Sequence, residues 1–231
     1  MLVVMRVGFF VTCLLNTMRP AAAFAGLALV RSVLRAEDTL VVPTTQTCCG
    51  QVSSNSGDRA AAEATAKVQI AAFADCDVVV VPSGSCGGMM QLHYPDTPFV
   101  VEELCTFLQN RGFRATKAAD AEPLRVVLHT SCSSLRETHS AEAAKQLIRA
   151  QPHCTLLELE GEEECCGFGG TFCVKYPEIS SAMLERKLHA IRATQPDLVV
   201  AADMGCLMNI EGGLQHQHTP IPCLHIAELL A

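Results

Sequence analysis

Two adjacent cysteines followed by glycine occur twice in the sequence, as Cys48-Cys49-Gly50 and as Cys165-Cys166-Gly167. Thiolate is the form of cysteine that binds metals, and four thiolates suit Zn²⁺ or an iron–sulfur cluster. Zinc sites usually take two pairs of ligands with short spacers inside each pair, whereas adjacent cysteines more naturally reach different iron atoms. The spacing therefore favours a cluster, with zinc as the alternative.

Single cysteines flank each adjacent pair in the same order. The gaps before and after the pair are 35 and 37 positions in the first half, and 33 and 40 in the second. Corresponding cysteines of the two halves lie 117 to 120 positions apart, which indicates an internal duplication. The eight candidate metal ligands are Cys13, Cys48, Cys49 and Cys86 in the first half, and Cys132, Cys165, Cys166 and Cys206 in the second.

Composition limits the classes of partner and the compartment. The chain has 231 residues, 13 cysteines and a formal charge of −7. It has no run of Lys or Arg, so neither nucleic acid nor an anionic membrane surface is favoured electrostatically. The apolar segments near the start are interrupted by Arg6, Asn16, Arg19 and Pro20, which leaves them too short to span a membrane. We expect a cytoplasmic protein, in which many cysteines indicate metal or redox chemistry rather than disulfides.

Apolar runs lead into the single cysteines. Val78–Val81 and Leu198–Ala201 are apolar on both faces, which is typical of parallel strands covered by helices. Open α/β sheets bind ligands beyond the carboxyl ends of their strands. The sequence therefore predicts an α/β fold of two pseudo-repeated small α/β layers with parallel strands and with cysteine loops at strand carboxyl ends. The predicted strands include Val7–Val11, Val78–Val81, Leu124–Cys132 and Leu198–Ala201.

Helices and domain limits follow from the same pattern. An Ala-rich helix is predicted at about Arg59–Ala74, and a second helix near Pro177, a favourable first-turn residue. The predicted units are a first cysteine-rich domain at 1–98, a connecting segment at 99–123 with the helix-like stretch FVVEELCTFLQNRG, and a second cysteine-rich domain at 124–231.

The sequence resembles the lactate utilization protein A family in the motifs TCCGQ, HTSC, CCGFGGTFCVKYPEIS, ADMGCLMNI and LHIAELL. Members of that family carry two cysteine-rich CCG domains, and the wider group includes the B-type component of heterodisulfide reductase and the iron–sulfur component of glycolate oxidase. The resemblance implies an iron–sulfur cluster in each half, of the 4Fe–4S type, held by the eight cysteines named above. It also implies an electron-transfer subunit, inactive alone, of a complex that oxidises L-lactate to pyruvate with sister lactate utilization proteins of the B and C types.

The sequence departs from the fullest pattern of the CCG group, which ends in C-x-x-C. Met89 and Asn209 stand where the last thiol would be. We therefore expect four-thiolate clusters instead of the five-cysteine cluster of heterodisulfide reductase. A thiol–disulfide reductase and a zinc-stabilised scaffold are the alternative functions. Cys173 is interpreted as an unliganded loop thiol, and His129 and His225 as hydrogen-bonded core residues.

Overall fold

The computed structural model describes residues 4–115 and 122–231, which form eight β-strands and twelve α-helices. In chain order, the strands β1 to β8 are Arg6–Phe9, Thr39–Val41, Val78–Val81, Val100–Glu103, Leu124–His129, Cys154–Leu157, Leu198–Ala201 and Cys223–His225. The helices α1 to α12 are Cys13–Met18, Pro20–Ser32, Gln51–Asn55, Arg59–Ala72, Gly84–His93, Leu104–Asn110, Cys132–Arg136, Ala141–Arg149, Phe172–Lys175, Pro177–Ala193, Met204–His216 and Ile226–Leu230.

The strands form two four-stranded sheets of the same design. The first has the order β2-β1-β3-β4 and the second the order β6-β5-β7-β8, and every strand pair is parallel. The register also repeats, because Val7 pairs with Val78 in the first sheet as Val126 pairs with Leu198 in the second. The prediction of two repeated α/β layers with parallel strands is confirmed.

Local sequence sets where the helices begin. The Asp58 side chain caps α4 by accepting a hydrogen bond from the backbone N–H of Ala61 at 3.0 Å. Helix α10 begins at Pro177, as predicted. The four single cysteines, in contrast, lie in the first turns of helices and not in loops. Of the helices in the described residues, none combines the length and the apolar character needed to cross a bilayer.

The two halves share one core. Along β3, Val78 and Val80 belong to a buried cluster that includes residues of both halves, while Val79 and Val81 face a cluster within the first half. This alternation is the two-residue period of a strand that is covered on both faces. Helix α2 packs on α12 and α6 packs on α8, so that each half contributes helices to a common layer. The halves therefore form one structural unit.

Buried polar contacts also join the halves. The Arg19 guanidinium donates to the backbone carbonyl of Cys223 at 2.7 Å and forms an ion pair with Glu211 at 3.1 Å. Nε2 of the buried His225 ring lies 2.8 Å from the carbonyl of Ala202 and 3.2 Å from that of Pro82. The interpretation of His225 as a hydrogen-bonded core residue is confirmed.

The range 99–123 contains regular structure that belongs to the first half. Strand β4 pairs with β3 at the edge of the first sheet, and α6 follows it directly. Residues 116–121 of this range lie outside the described residues. We propose that the first domain extends through α6 and that the connection between the domains is shorter than the predicted segment.

Candidate metal centres

Four of the candidate ligands follow the two central strands of each sheet. In the first sheet the chain crosses from β1 to β2 on one side and from β3 to β4 on the other, so that the strand order reverses between β1 and β3. Such a reversal opens a crevice at the carboxyl ends of the two strands, where α/β proteins bind ligands. Cys13 follows β1 and Cys86 follows β3 at this crevice. Cys132 and Cys206 follow β5 and β7 in the same way.

The first thiol row consists of Cys13, Cys48, Cys49 and Cys86. The structure brings these four together: Sγ of Cys13 lies 3.9 Å from Sγ of Cys48, and Sγ of Cys49 lies 3.3 Å from Sγ of Cys86. A hydrogen bond between the neighbouring Cys48 and Cys49 thiols completes the row. Cys13 is exposed at one end and Cys49 is buried, so the row runs from the protein surface into the first half.

The second thiol row consists of Cys132, Cys165, Cys166 and Cys206. Hydrogen bonds join its thiols in that order, as in the first row. None of the eight cysteines in the two rows forms a disulfide. The structure thus gathers all eight residues predicted from the sequence, four at each strand-end crevice.

Helix N-termini carry four of these thiols. Cys13 and Cys132 are the first residues of α1 and α7, and Cys86 and Cys206 occupy the third positions of α5 and α11. Hydroxyl side chains cap three of these helices: Thr12 accepts from the N–H of Leu15 at 3.3 Å, Ser131 from that of Ser134 at 3.1 Å, and Ser83 from that of Cys86 at 3.2 Å. The positive end of a helix dipole stabilises thiolate, the form that binds metal.

Hydrogen bonding within each row makes neighbouring thiols unequal. The Cys13 thiol donates to Cys48, which lowers the pKa of Cys48 and raises that of Cys13. Cys132 and Cys165 repeat this relation, with the pKa of Cys165 lowered. A hydrogen bond from the Cys166 thiol lowers the pKa of Cys206 to about 7. Hydrogen bonding within each row therefore favours thiolate, the form that binds metal, at Cys48 in the first row and at Cys165 and Cys206 in the second.

A glycine after each cysteine pair orients the backbone toward sulfur. Gly50 and Gly167 have φ angles of +86° and +89°, a region that side chains other than glycine rarely adopt. Their N–H groups donate to Sγ of Cys48 at 3.4 Å and of Cys165 at 3.3 Å. A Cβ atom on Gly167 would also lie only 2.5 Å from the carbonyl oxygen of Ser180. The glycines thus let backbone donors stabilise negative charge on the thiols.

Two residues whose roles the sequence did not reveal hold the second cysteine of each pair. Asn209 donates to the carbonyl of Cys166 at 2.9 Å, and the Tyr94 hydroxyl donates to that of Cys49 at 2.9 Å. Asn209, which stands where the wider group has a thiol, therefore positions the pair. Cys173, interpreted from the sequence as an unliganded loop thiol, lies in the short helix α9 and not in a loop, and its thiol donates to the carbonyl of Gly170 at 3.1 Å.

Asp203 connects the helices that carry the two rows. It precedes α11, which bears Cys206, and its Oδ1 accepts from the hydroxyls of Ser83 at 2.7 Å and Ser85 at 2.6 Å. Ser83 in turn caps α5, which bears Cys86. No motif signalled this contact, because Asp203 and Ser83 lie 120 positions apart and meet only after the two halves pack.

The shape of the rows limits the metal that they fit. A tetrahedral Zn²⁺ ion with bonds of about 2.3 Å to sulfur would hold all four thiols about 3.8 Å from one another. Among the described residues, the one group of three or more ligand atoms that all lie within 4.8 Å of one another is His129, Cys166 and Cys206. As the thiols lie in the structure, neither row therefore closes into a four-sulfur cage around one ion.

The fold and the thiol rows together define a protein of two cysteine-rich α/β domains, each built around a candidate metal centre. The family model described as CCG, cysteine-rich domain, matches residues 7–91 and again 126–211. All eight cysteines of the rows lie inside these two ranges.

Curated relatives match along nearly the whole chain. Lactate utilization protein A 2 of Bacillus cereus (strain AH820) is 36% identical, with 98% of each chain covered. Lactate utilization protein A of Shouchella clausii (strain KSM-K16) is 38% identical, again with 98% of each chain covered. The chain therefore belongs to the lactate utilization protein A family, and the resemblance found in its motifs is confirmed.

The solved structures add nothing to this assignment. The aspartate racemase of Picrophilus torridus aligns with a TM-score of 0.37 and 12% identity, over 98% of this chain and 90% of that one. A likeness of this size carries no functional argument.

Proposed function

We propose that the chain is the iron–sulfur electron-transfer subunit of a complex that oxidises L-lactate to pyruvate. The observation that carries the proposal is the pair of four-thiol rows, placed at corresponding strand ends of a duplicated fold. The named relatives supply the link to lactate. We assign one cluster of the 4Fe–4S type to each row, with cysteine ligands drawn from that row.

The residues around each row suit this role. When bound, an iron–sulfur cluster supplies one-electron transfer. The N–H groups of Gly50 and Gly167 donate to thiol sulfur and so stabilise added negative charge. Cys49 and Cys166 are buried, which limits access of water, while the exposed Cys13 leaves one end of the first row open to a partner.

Neither the sequence motifs nor the surface cavity among the described residues supplies a site that matches lactate. Conversion of an alcohol to a carbonyl removes two electrons and two protons, normally through a hydride acceptor and a general base. The sequence has no G-x-G-x-x-G loop after a strand. A surface cavity of about 490 Å³ is lined by Glu160, Glu164, Glu185, Arg186 and His189 among others. Its three carboxylates against one guanidinium would repel the lactate anion.

Exposed apolar side chains near the second row suit a docking site for a sister protein of the B or C type. Val174, Tyr176 and Ile179 are 80%, 56% and 56% exposed, and they follow the Cys165-Cys166 pair in α9 and at the start of α10. Neighbouring exposed apolar residues are typical of interaction surfaces. We propose that the partner covers this patch and thereby comes within electron-transfer reach of the second row.

Anaerobic turnover of L-lactate with an artificial electron acceptor tests the proposed function. We expect no turnover from the purified, cluster-loaded chain and clear turnover after the B- and C-type proteins are added. The control is the same mixture without this chain. Full activity from the isolated chain would contradict the proposal and would point to a catalytic site within it.

A further inference from the structure

The two thiol rows differ in the residue that lies three positions before the first cysteine of each row. His129 lies three residues before Cys132 at the end of β5, and Phe10 lies three residues before Cys13 just after β1. Phe10 is fully buried in an apolar cluster that includes Cys49. An imidazole in the second half therefore takes the place of a phenyl ring in the first.

The His129 ring lacks the partners that a buried imidazole needs. The residue is 1% exposed, and neither Nδ1 nor Nε2 meets the geometry of a hydrogen bond in the part of the chain that the structure describes, although the ring lies close enough to Cys206 to lower the pKa of that thiol. A buried polar group left without a partner costs about 1–3 kcal/mol. His225, which is equally buried, uses both of its ring nitrogens. His129 thus does not behave as the hydrogen-bonded core residue that the sequence suggested.

Metal coordination supplies the missing partner. A ring nitrogen of His129 and the sulfurs of Cys166 and Cys206 all lie within 4.8 Å of one another. Imidazole nitrogen and thiolate are both ordinary ligands of iron and zinc. We propose that a ring nitrogen of His129 is a metal ligand in the second centre, beside Cys166 and Cys206. A 4Fe–4S cluster has one outer ligand per iron, so the imidazole takes the place of one of the other two thiolates of the row. The two centres then differ in donor set, with four thiolates in the first and three thiolates plus one imidazole in the second.

A second difference between the two centres is a buried lysine near the second one, which also affects the reduction potential. Lys187 on α10 is 1% exposed, and its ammonium donates to the carbonyl of Gly161 at 2.7 Å, in the loop before the cysteine pair. The corresponding residue on α4 is Gln69, 118 positions earlier, whose neutral amide donates to the carbonyl of Cys48 at 3.1 Å. A neutral nitrogen ligand and a nearby cation both favour the reduced form of a centre. The second centre is therefore reduced at a more positive potential than the first.

Pulsed electron paramagnetic resonance on the full chain, labelled with ¹⁵N in histidine only, tests the ligand. The chain is loaded with iron and sulfide anaerobically and then reduced. We expect one strongly coupled histidine nitrogen in the wild type, its loss in His129→Phe, and its retention in His189→Gln, which changes an exposed histidine. His129→Phe also shifts the midpoint potential of one centre to a more negative value and leaves that of the other unchanged.

This inference rests on the proposed function, and the two fail in different ways. Iron and sulfide are measured on the same samples. A wild-type chain with both centres loaded but only weak or absent histidine coupling overturns ligation by His129, whether or not the variants fold. If the chain takes up no iron and sulfide, the proposed function fails. Cobalt(II) bound to the metal-free chain then tests the ligand, because the same nitrogen coupling supports His129 and its absence overturns it.

Discussion

Replacement of both Cys165 and Cys166 by serine is expected to lower the iron and acid-labile sulfide content of the anaerobically purified chain by about half. These residues supply the two central thiols of the second row, and Cys165 is the thiol whose pKa the Cys132 hydrogen bond lowers. A serine hydroxyl is a far poorer ligand for iron than thiolate. The first row is untouched, because its four thiols come from other segments of the chain.

Two control variants make the result specific. Cys173→Ser removes the spare thiol of the nearby helix α9, and we expect its iron content to equal that of the wild type. Replacement of Cys48 and Cys49 by serine is expected to remove the other half of the iron. Unchanged iron in the Cys165/Cys166 variant would show that the second row holds no centre, and complete loss of iron would show that the two rows do not load independently.

The free energy of unfolding is expected to depend on pH through Glu103. This residue ends β4 and is 1% exposed. Its Oε2 accepts from the N–H of Cys105 at 2.7 Å, whereas Oε1 has no partner in the described residues. Burial raises the pKa of its carboxyl from 4.5 to about 8. The folded protein therefore binds the Glu103 proton more tightly than the unfolded chain does.

The sign of the effect follows from this raised pKa. Stability that comes from the protonated carboxyl is complete below about pH 4.5 and is lost as the pH rises through about 8. Between about pH 4.5 and pH 8 the free energy of unfolding of the wild type falls by about 1.4 kcal/mol per pH unit relative to that of Glu103→Gln, because glutamine does not titrate. Urea unfolding of the reduced, metal-free chains at a series of pH values measures the difference.

Parallel curves of unfolding free energy against pH for the wild type and Glu103→Gln would contradict this assignment. They would mean that Glu103 stays charged in the folded protein.

Strong local patterns made the central part of the fold predictable. Val78–Val81 is apolar on both faces, which only a covered central strand explains, and Pro177 marks the start of a helix. The cysteines could be assigned in two sets of four because a duplicated chain repeats its ligand spacing. A parallel sheet then places the ends of its central strands together.

Features that depend on long-range packing could not be predicted. Strand β2 has three residues and lies at a sheet edge, where the hydrophobic pattern is weak. The contact of Asp203 with Ser83 joins residues of different halves and leaves no trace in local sequence. The unpartnered ring of His129 could be found only from its surroundings, since a histidine in a strand is more often a satisfied core residue.

Metal and sulfide analysis of the wild-type chain, purified without oxygen, tests the central proposal of one iron–sulfur cluster per half most directly. Two clusters of the 4Fe–4S type predict about eight iron atoms and eight acid-labile sulfides per chain, together with broad visible absorption. Zinc in place of iron, with no acid-labile sulfide and no visible absorption, would contradict the proposal and would make the two thiol rows the frame of a zinc-stabilised scaffold.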